Sequence, residues 1–486
     1  MTSLILLELV LCLASHAESL PYERIDDRLA AYGREGRCVD SEALSRQYHA
    51  AADPATGETV MTPPAPPAVR VVHEETVYTH TPANNGSGPF WSSGCTTLAR
   101  VGDTVVLSEM ETGPDVPLLC NTRWRLHART ENGWRLLAEA DGYRQREPAV
   151  LATTGPEAFY LYVNDSTEPP GTKYGPCTPY LLKFNLENAA NPQTLRPVWE
   201  GETTFTDHSY RGYAADRDVQ ELLMLNIDAK TSEQNWCHMN ANGEVLGNGK
   251  ITFPIRSCYP QAALKSGAAY VLAVGDIREP VTEWADYKFE QTKSSWDYVF
   301  RILYFTWTPD LRSQGFAPAI EIANVDATAG HVFGQDLYVT PGGDAYVMYT
   351  QRPVSTPLMR DRFFPDLSIM DSLHLAVVRG GQVIERKVLL EGTDTRQPGC
   401  ARFHVAANGD LYALVYAAID GAPGNYLMPV NPPPDGPSLI PIPLQQPTSS
   451  FLLASPRAGN APSNTIDLVG AGPANSIVYA QMALEQ

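Results

Sequence analysis

Past its first residues the chain has no apolar run approaching the ~18 residues that a helical membrane span requires, so the mature protein is expected to be soluble and to have no membrane partner. Positive charge is also scarce. The 36 Lys and Arg face 55 Asp and Glu, for a net charge of -19 and a pI near 4.9, which argues against nucleic acid or an anionic membrane surface as partner of the whole molecule. Cysteine is sparse and carries no CxxC pair, so no zinc knuckle is indicated. Setting aside Cys12 of the leader, the 8 cysteines leave Cys38, Cys95, Cys120, Cys177, Cys237, Cys258 and Cys400. That odd set allows a few disulfides and at least one free thiol, not a disulfide scaffold. Helical periodicity is almost missing beyond the N-terminus, and the Asp-box turn Ser-x-Asp-x-Gly-x-Thr-Trp occurs nowhere in clean form, Thr130 to Trp134 being a distant echo.

What is present divides the chain in three. Leu4 to Leu13 is a short apolar run followed by Ser15-His16-Ala17, with small residues at the two positions a signal peptidase reads, so residues 1–17 read as a signal peptide and the protein as secreted or periplasmic. Residues 18–68 form an N-terminal extension with helix-compatible spacing at Ile25 to Tyr32 and Ser41 to Ala52, ending in the Pro-rich linker Thr62 to Pro67. From 69 to 486 the texture is short β segments punctuated by turns. Ser266-Gly267, Gly342-Gly343 and Asn408-Gly409 each join an apolar strand to a Tyr-bearing one, which is hairpin chemistry.

These hairpins align as seven units beginning near Cys95, Pro148, Tyr210, Tyr259, Val332, Phe403 and Phe451. Four-stranded units at this period are the signature of propeller blades. The segment Val69 to Tyr78 can complete the last blade, which ends at Ile477 to Leu484. The expected fold is therefore an all-β, seven-bladed β-propeller with a short, partly helical N-terminal extension, and it is expected to be a monomer.

In such a ring the lead-ins to the innermost strands and the links between second and third strands open on one face. Those links are long in blades one to five, and insertions concentrated on one face mark a binding face. They hold cations and aromatics, among them Arg123, Lys173, Arg278, Lys288, Arg352, Tyr287 and Phe363, with Tyr174 beside them. A basic, aromatic-lined bowl on an acidic protein suggests an anionic polysaccharide or oligosaccharide, since aromatic faces stack on sugar rings and Arg forks bind carboxylates. Loop carboxylates such as Glu279, Asp361 and Asp366 could equally pair with these cations.

Among the lead-ins, Asp207-His208-Ser209-Tyr210-Arg211 places a base, a phenol and a guanidinium together. Strand alternation would set His208 and Tyr210 on one face and Arg211 on the other. These types serve β-elimination beside a uronate carboxylate. A guanidinium acidifies the carbon acid, a His or Tyr takes its proton, and a second one protonates the leaving glycosidic oxygen. No metal is required. His80 could add a second imidazole, with His331 and His404 as alternatives, and Asn85, Trp91, Arg123, Tyr259 and Arg352 are candidate substrate contacts. Cys237-His238 with Cys258 and His208 could form a mixed metal site, or Cys237 and Cys258 a disulfide or a pair of unpaired buried thiols. A disulfide between Cys120 and Cys177 could brace the binding face.

The segments Asn85 to Trp91, Cys120 to Trp124, His208 to Arg211, Arg256 to Gln261 and Gly275 to Pro280 resemble those of secreted BNR-repeat or sialidase-like proteins. The layout is similar to the seven-bladed propeller polysaccharide lyases that cleave rhamnose-glucuronate linkages, the ulvan lyases among them. That resemblance implies a pair of histidines on blade one, a tyrosine and an arginine as the eliminating groups, and a structural metal such as Ca or Zn. Tyr210 and Arg211 match the last two, whereas His80 is the only histidine at the blade-one lead-in. A non-catalytic glycan- or protein-binding propeller and a sialidase-like glycoside hydrolase stay open as alternatives. The hydrolase would need two carboxylates flanking the bond, for which Glu111, Asp115 and Asp207 are available.

Overall fold

The computed structural model describes residues 67–485, apart from 93, 173–174, 209 and 434–438, and the backbone of 49–52 and 59–62. The expected signal peptide and the helix-compatible stretch Ile25 to Tyr32 lie outside the described residues. Residues Pro67–Glu485 form one compact unit and Met1–Pro66 with Gln486 another. In the smaller unit His49–Ala52 pairs antiparallel with Thr59–Thr62. The helix-compatible spacing of Ser41 to Ala52 therefore gives way to a strand at 49–52, where a partner segment lies a short loop away. The first residue expected in the linker, Thr62, is the last of the second strand.

The larger unit is a seven-bladed β-propeller built from seven four-stranded antiparallel sheets. Their innermost strands are Leu98–Val101, Val150–Thr153, Gly212–Asp216, Ser257–Lys265, His331–Val339, Arg396–Val405 and Phe451–Leu453. Each lies at or close beside one of the seven expected starts. Blade seven is closed by the N-terminal strand Ala68–Thr79, paired along its length with Ser476–Glu485. The Ser266-Gly267 turn joins its strands with both residues at positive φ, 51° and 86°, the backbone that a tight hairpin needs.

Because each blade is sandwiched between neighbours, its middle strands are buried on both faces and lose the polar alternation of a one-sided sheet. Every residue of Glu221–Ile227 in blade three is buried. Leu222 and Met224 pack with Val150, Tyr162 and Tyr213 toward blade two, while Leu223 and Leu225 pack with Val271 and Tyr304 toward blade four. The central channel is crossed by residues 455–460, the link between the first two strands of blade seven. Ala458 O accepts from Thr153 N of blade two at 2.9 Å and Arg457 O from Ala215 N of blade three at 2.9 Å. Asn460 Oδ1 accepts from Arg100 N of blade one at 2.8 Å, and Arg457 donates to Asp336 of blade five at 2.9 Å. Gly459 sits at φ +82°, and a Cβ there would lie 1.7 Å from Thr153 O, so the crossing segment requires glycine.

Two of the five expected loop enlargements carry a helix, α1 (Thr282–Thr292) in blade four and α2 (Pro357–Phe363) in blade five. Trp284 and Tyr287 of α1 meet Phe363 and Phe364 at the end of α2, which gives these two insertions an apolar core of their own.

Candidate active site at the lead-ins to blades two, three and four

The lead-in to blade three does not run as a strand. Residues 207–211 precede Gly212–Asp216, and Tyr210 is held at φ +37°. Tyr259, at the corresponding place in blade four, has φ +54° and lies where the ladder of Ser257–Lys265 slips between Cys258 and Gln261. Bulky side chains in the left-handed region are strained, and such strain persists where packing over-determines it, often at functional sites. A bulge also re-aims its side chain. Here both kinks turn phenols toward each other. The Tyr210 and Tyr259 rings lie 4.7 Å apart, nearly edge to face. His208 packs on Tyr210 at 4.2 Å, and Trp91, 37% exposed, covers His208 and Tyr259 at 6.1 and 5.9 Å. His208 and Tyr210 thus come together as expected, through a kink rather than strand alternation.

Beneath this cluster lie three carboxylates, each buried and each held. Glu147 Oε1 accepts a hydrogen bond from Nδ1–H of His208 at 2.7 Å, leaving Nε2 as the ring's free nitrogen. Burial alone pushes the Glu147 carboxyl up, but the hydrogen bond and charge of His208, with Arg211 and Arg146, outweigh it and hold the group below the usual carboxylate range. Asp207 accepts from Arg146 at 3.1 Å, and burial nonetheless pushes it up. Asp276 pairs with Arg256 at 2.7 Å. Burial raises the Tyr210 and Tyr259 phenols above their ordinary value, with neighbouring Cys258 and Asp276 adding to it, so both stay protonated and able to donate. Arg256 lies over the Tyr210 ring at 5.5 Å, and its side chain keeps 31% exposure.

Several expected site residues are placed elsewhere. The Arg211 guanidinium is buried, donating to Tyr162 O at 3.0 Å and Pro148 O at 2.6 Å, with Glu147 3.8 Å away. It supports the floor rather than facing a ligand, because backbone carbonyls compete for its donors. His80 bonds Asn475 O at 2.8 Å and lines a separate crevice with Pro82, Gly86 and Met110. His404 is buried and His331 half-buried, and desolvation lowers both to about 4. Asn85 is also buried. Its amide donates to Leu119 O, Asn121 Oδ1 and Arg146 O, so it pins the lead-in to blade one, and Arg146 ties that loop to blade three.

The cations of the enlarged loops are largely neutralised. Arg123 pairs with Glu111 and with Glu139 at 3.0 Å, Arg352 with Asp371 at 3.3 Å, Arg360 with Asp361 at 2.7 Å, and Lys288 with Glu279 and Asp297, both at 2.6 Å. Lys173 and Tyr174 lie outside the described residues. Of the readings offered for Cys237 and Cys258, unpaired buried thiols is the one found: Cys237 packs in the core between blades two and three, and Cys258 contacts Tyr210. His238 turns instead to Glu221 at 2.8 Å, and among the described residues no group of three or more His, Cys, Asp or Glu could hold a metal ion. Cys120 and Cys177 are both buried as free thiols, and each draws the other's titration, Cys120 down and Cys177 up.

Sequence reasoning did not single out Glu147, Arg146, Arg256 or Asp276 as site residues. Glu147 and Arg146 fall inside the blade-two lead-in, but nothing in a lone sequence pairs Glu147 with His208 across 61 positions. Arg256 stands two residues before the blade-four lead-in, in a segment quoted for family resemblance only.

No protein-family model matches the chain, and no curated protein is similar to it. Among solved structures, the polysaccharide lyase Uly1 is similar at TM-score 0.48 and 10% identity over 85% of this chain and 99% of that one. A puromycin-hydrolyzing peptidase from Mycobacterium tuberculosis is similar at TM-score 0.46 and 10% identity, with 82% of this chain covering 53% of that one. The chain thus spans about half the length of that peptidase. An α-L-arabinanase from Penicillium chrysogenum in complex with arabinobiose is similar at TM-score 0.40 and 10% identity, over 85% and 98% of the two chains.

Proposed function

We propose that the protein is an exported, glycan-active propeller that cleaves a uronate-containing polysaccharide by β-elimination. One observation carries the reading: an imidazole and two phenols gather at the opening, while Glu147, Asp207 and Asp276 are all buried against cations or an imidazole. A glycosidase needs two carboxylates reaching the bond from the cleft. Elimination needs a base, an acid and a cation, which is the set at hand.

In this reading the uronate ring lies against Trp91 with its carboxylate toward Arg256, whose charge stabilises the carbanionic character developing at C5. Nε2 of His208 takes the C5 proton. The C5–H electron pair forms the C4–C5 double bond, and the C4–O bond breaks. The leaving glycosidic oxygen receives its proton from Tyr259, with Tyr210 beside it, and burial keeps both phenols in the protonated form that a general acid must start from. Glu147 keeps the imidazole in the tautomer that can accept. Base, acid and cation all come from the chain, so the step as proposed runs without a metal.

The test is to incubate the mature protein with ulvan and other uronate polymers and follow the ultraviolet absorbance of the unsaturated uronate. The expected result is a growing chromophore in the wild type that is lost in His208→Ala. Release of reducing ends without the chromophore would replace elimination by hydrolysis, and saturable binding with no product would leave a non-catalytic glycan receptor.

A further inference from the structure

We infer that the site continues outward along an aromatic track, Tyr298 and Trp296, which together with Arg278 forms a distal subsite for an anionic glycan chain. The inference rests on the reading above for its substrate class and extends it from one ring to several.

The track begins inside the site. Arg256 is sandwiched between two phenols, 5.5 Å from the Tyr210 ring centre and 5.8 Å from that of Tyr298. Tyr298 is 37% exposed and Trp296 is 75% exposed, and their rings lie 5.0 Å apart at 40°. The steps from Tyr210 to Trp296 therefore form a continuous series of rings and one guanidinium that leads from covered to open. Trp296 is the most exposed of the large apolar side chains described, and among the described residues the ring it meets is that of Tyr298. A tryptophan left 75% in water at the outer end of a series of rings calls for a ligand with an apolar face and polar edges.

The frame that holds the track is rigid. Ile277–Arg278 pairs with Tyr298–Val299 as a small antiparallel ladder, with Arg278 directly opposite Tyr298. Directly opposed residues are near neighbours across a sheet. Arg278 is exposed, forms no ion pair with a described residue, and makes a long bond to Ser295 O at 3.5 Å. An open guanidinium beside two sugar-sized aromatic faces matches a chain whose rings present carboxylates, and it separates a uronate chain from a neutral one of equal length. The loop cations Arg123, Arg352, Arg360 and Lys288 are already paired, so Arg278 is the better cation for this role.

Titration calorimetry on the full-length mature protein with size-fractionated ulvan oligosaccharides, from disaccharide to octasaccharide, tests the inference. To keep the ligand intact, His208→Ala serves as the background, since its imidazole is not part of the track. The octasaccharide should bind about tenfold tighter than the disaccharide. That ratio should collapse toward one in Trp296→Ala and in Tyr298→Ala, and neutral cello-oligosaccharides should show no such length dependence. Trp296 is exposed enough that its removal leaves the fold intact, which the melting temperature verifies. Equal octasaccharide-to-disaccharide ratios with and without Trp296 overturn the track while leaving the elimination chemistry standing. Length-dependent binding that needs Trp296, in a wild type that releases no unsaturated product, supports the track and refutes the elimination. Failure of every oligosaccharide to bind removes both.

Discussion

Glu147→Gln probes the proposed chemistry most directly, because it changes one charge and almost no volume. Glu147 bonds Nδ1 of His208 at 2.7 Å, with its side chain only 5% exposed, so it touches the base and not the substrate. A hydrogen bond to a charged group contributes about 1.5–3 kcal/mol, and that sets the expected loss of stability. The catalytic effect should be larger. A carboxamide can donate to Nδ1, which moves the ring proton to Nε2 and leaves the base unable to accept. Because a positioned base contributes about 10²–10⁴-fold, kcat should fall by roughly two to three orders of magnitude while KM moves little. Stability gives an independent reading of sign. The Glu147 carboxyl is held below its ordinary value in the folded state. Its contribution is therefore present above the unfolded value near 4.3 and lost as pH falls through the lower folded one. Glu147→Gln should lower the melting temperature at pH 7 and flatten its decline on the acid side. Initial rates of unsaturated-product formation and melting curves at several pH values measure both. A variant with wild-type kcat refutes the Glu147–His208 pair as the base.

Three further outcomes follow from groups outside that pair. Glu109 in blade one is pushed up to about 7 by burial, with Glu111 and Glu139 adding to it against Arg125 and Arg123. Its folded value lies above its unfolded one, so its stabilising effect is complete at low pH and lost as pH rises through 7. Glu109→Gln should therefore stabilise the fold at pH 8 by on the order of 3 kcal/mol, read as a higher melting temperature than wild type, and change it little at pH 4. Asp336 and Arg457 form an ion pair with both side chains only 3% exposed, and Asp336 also accepts from Phe403 N at 2.9 Å. Asp336→Ala strands the guanidinium and should cost about 3–5 kcal/mol in urea unfolding, with Asp336→Asn milder. Cys120 and Cys177 should close to a disulfide in oxidised glutathione, by exchange that releases two equivalents of the reduced thiol, and gain about 2–4 kcal/mol. Alkylation followed by peptide mapping checks it, and full labelling of both cysteines after oxidation would refute it.

The ring of blades was legible because its determinants are local. Hairpin turns such as Ser266-Gly267 announce themselves through residue types that tolerate positive φ. The closing strand at Ala68–Thr79 could be matched to Ser476–Glu485 because one segment was left over at each end of a count of seven. Burial of both faces weakened alternation in the middle strands, Glu221–Ile227 above all, but the turn spacing survived. The stretch 49–52 misled because short apolar segments carry helical and strand spacing alike, and a partner at 59–62 decides between them.

The site was legible only in part, and the reason is the same locality. A lead-in that concentrates His208, Tyr210 and Arg211 marks where to look, since those types are costly to place at a ring's mouth without use. Which of them faces the opening is settled by non-local competition. Arg211 has the right chemistry for a carboxylate clamp, yet Tyr162 O and Pro148 O, from another blade, claim its donors. Arg256 lacked any local mark, yet it lies over the Tyr210 ring because Tyr210 is forced to φ +37°, a conformation that its residue type disfavours and no sequence rule would assign. The loop cations fail as a basic bowl for a related reason: on a chain of this acidity most guanidiniums find a carboxylate nearby. It follows that an informative cation is one with no carboxylate partner among the described residues despite that excess, such as Arg278 opposite Tyr298, whereas Arg256, itself paired with Asp276, is marked by its place between the Tyr210 and Tyr298 rings.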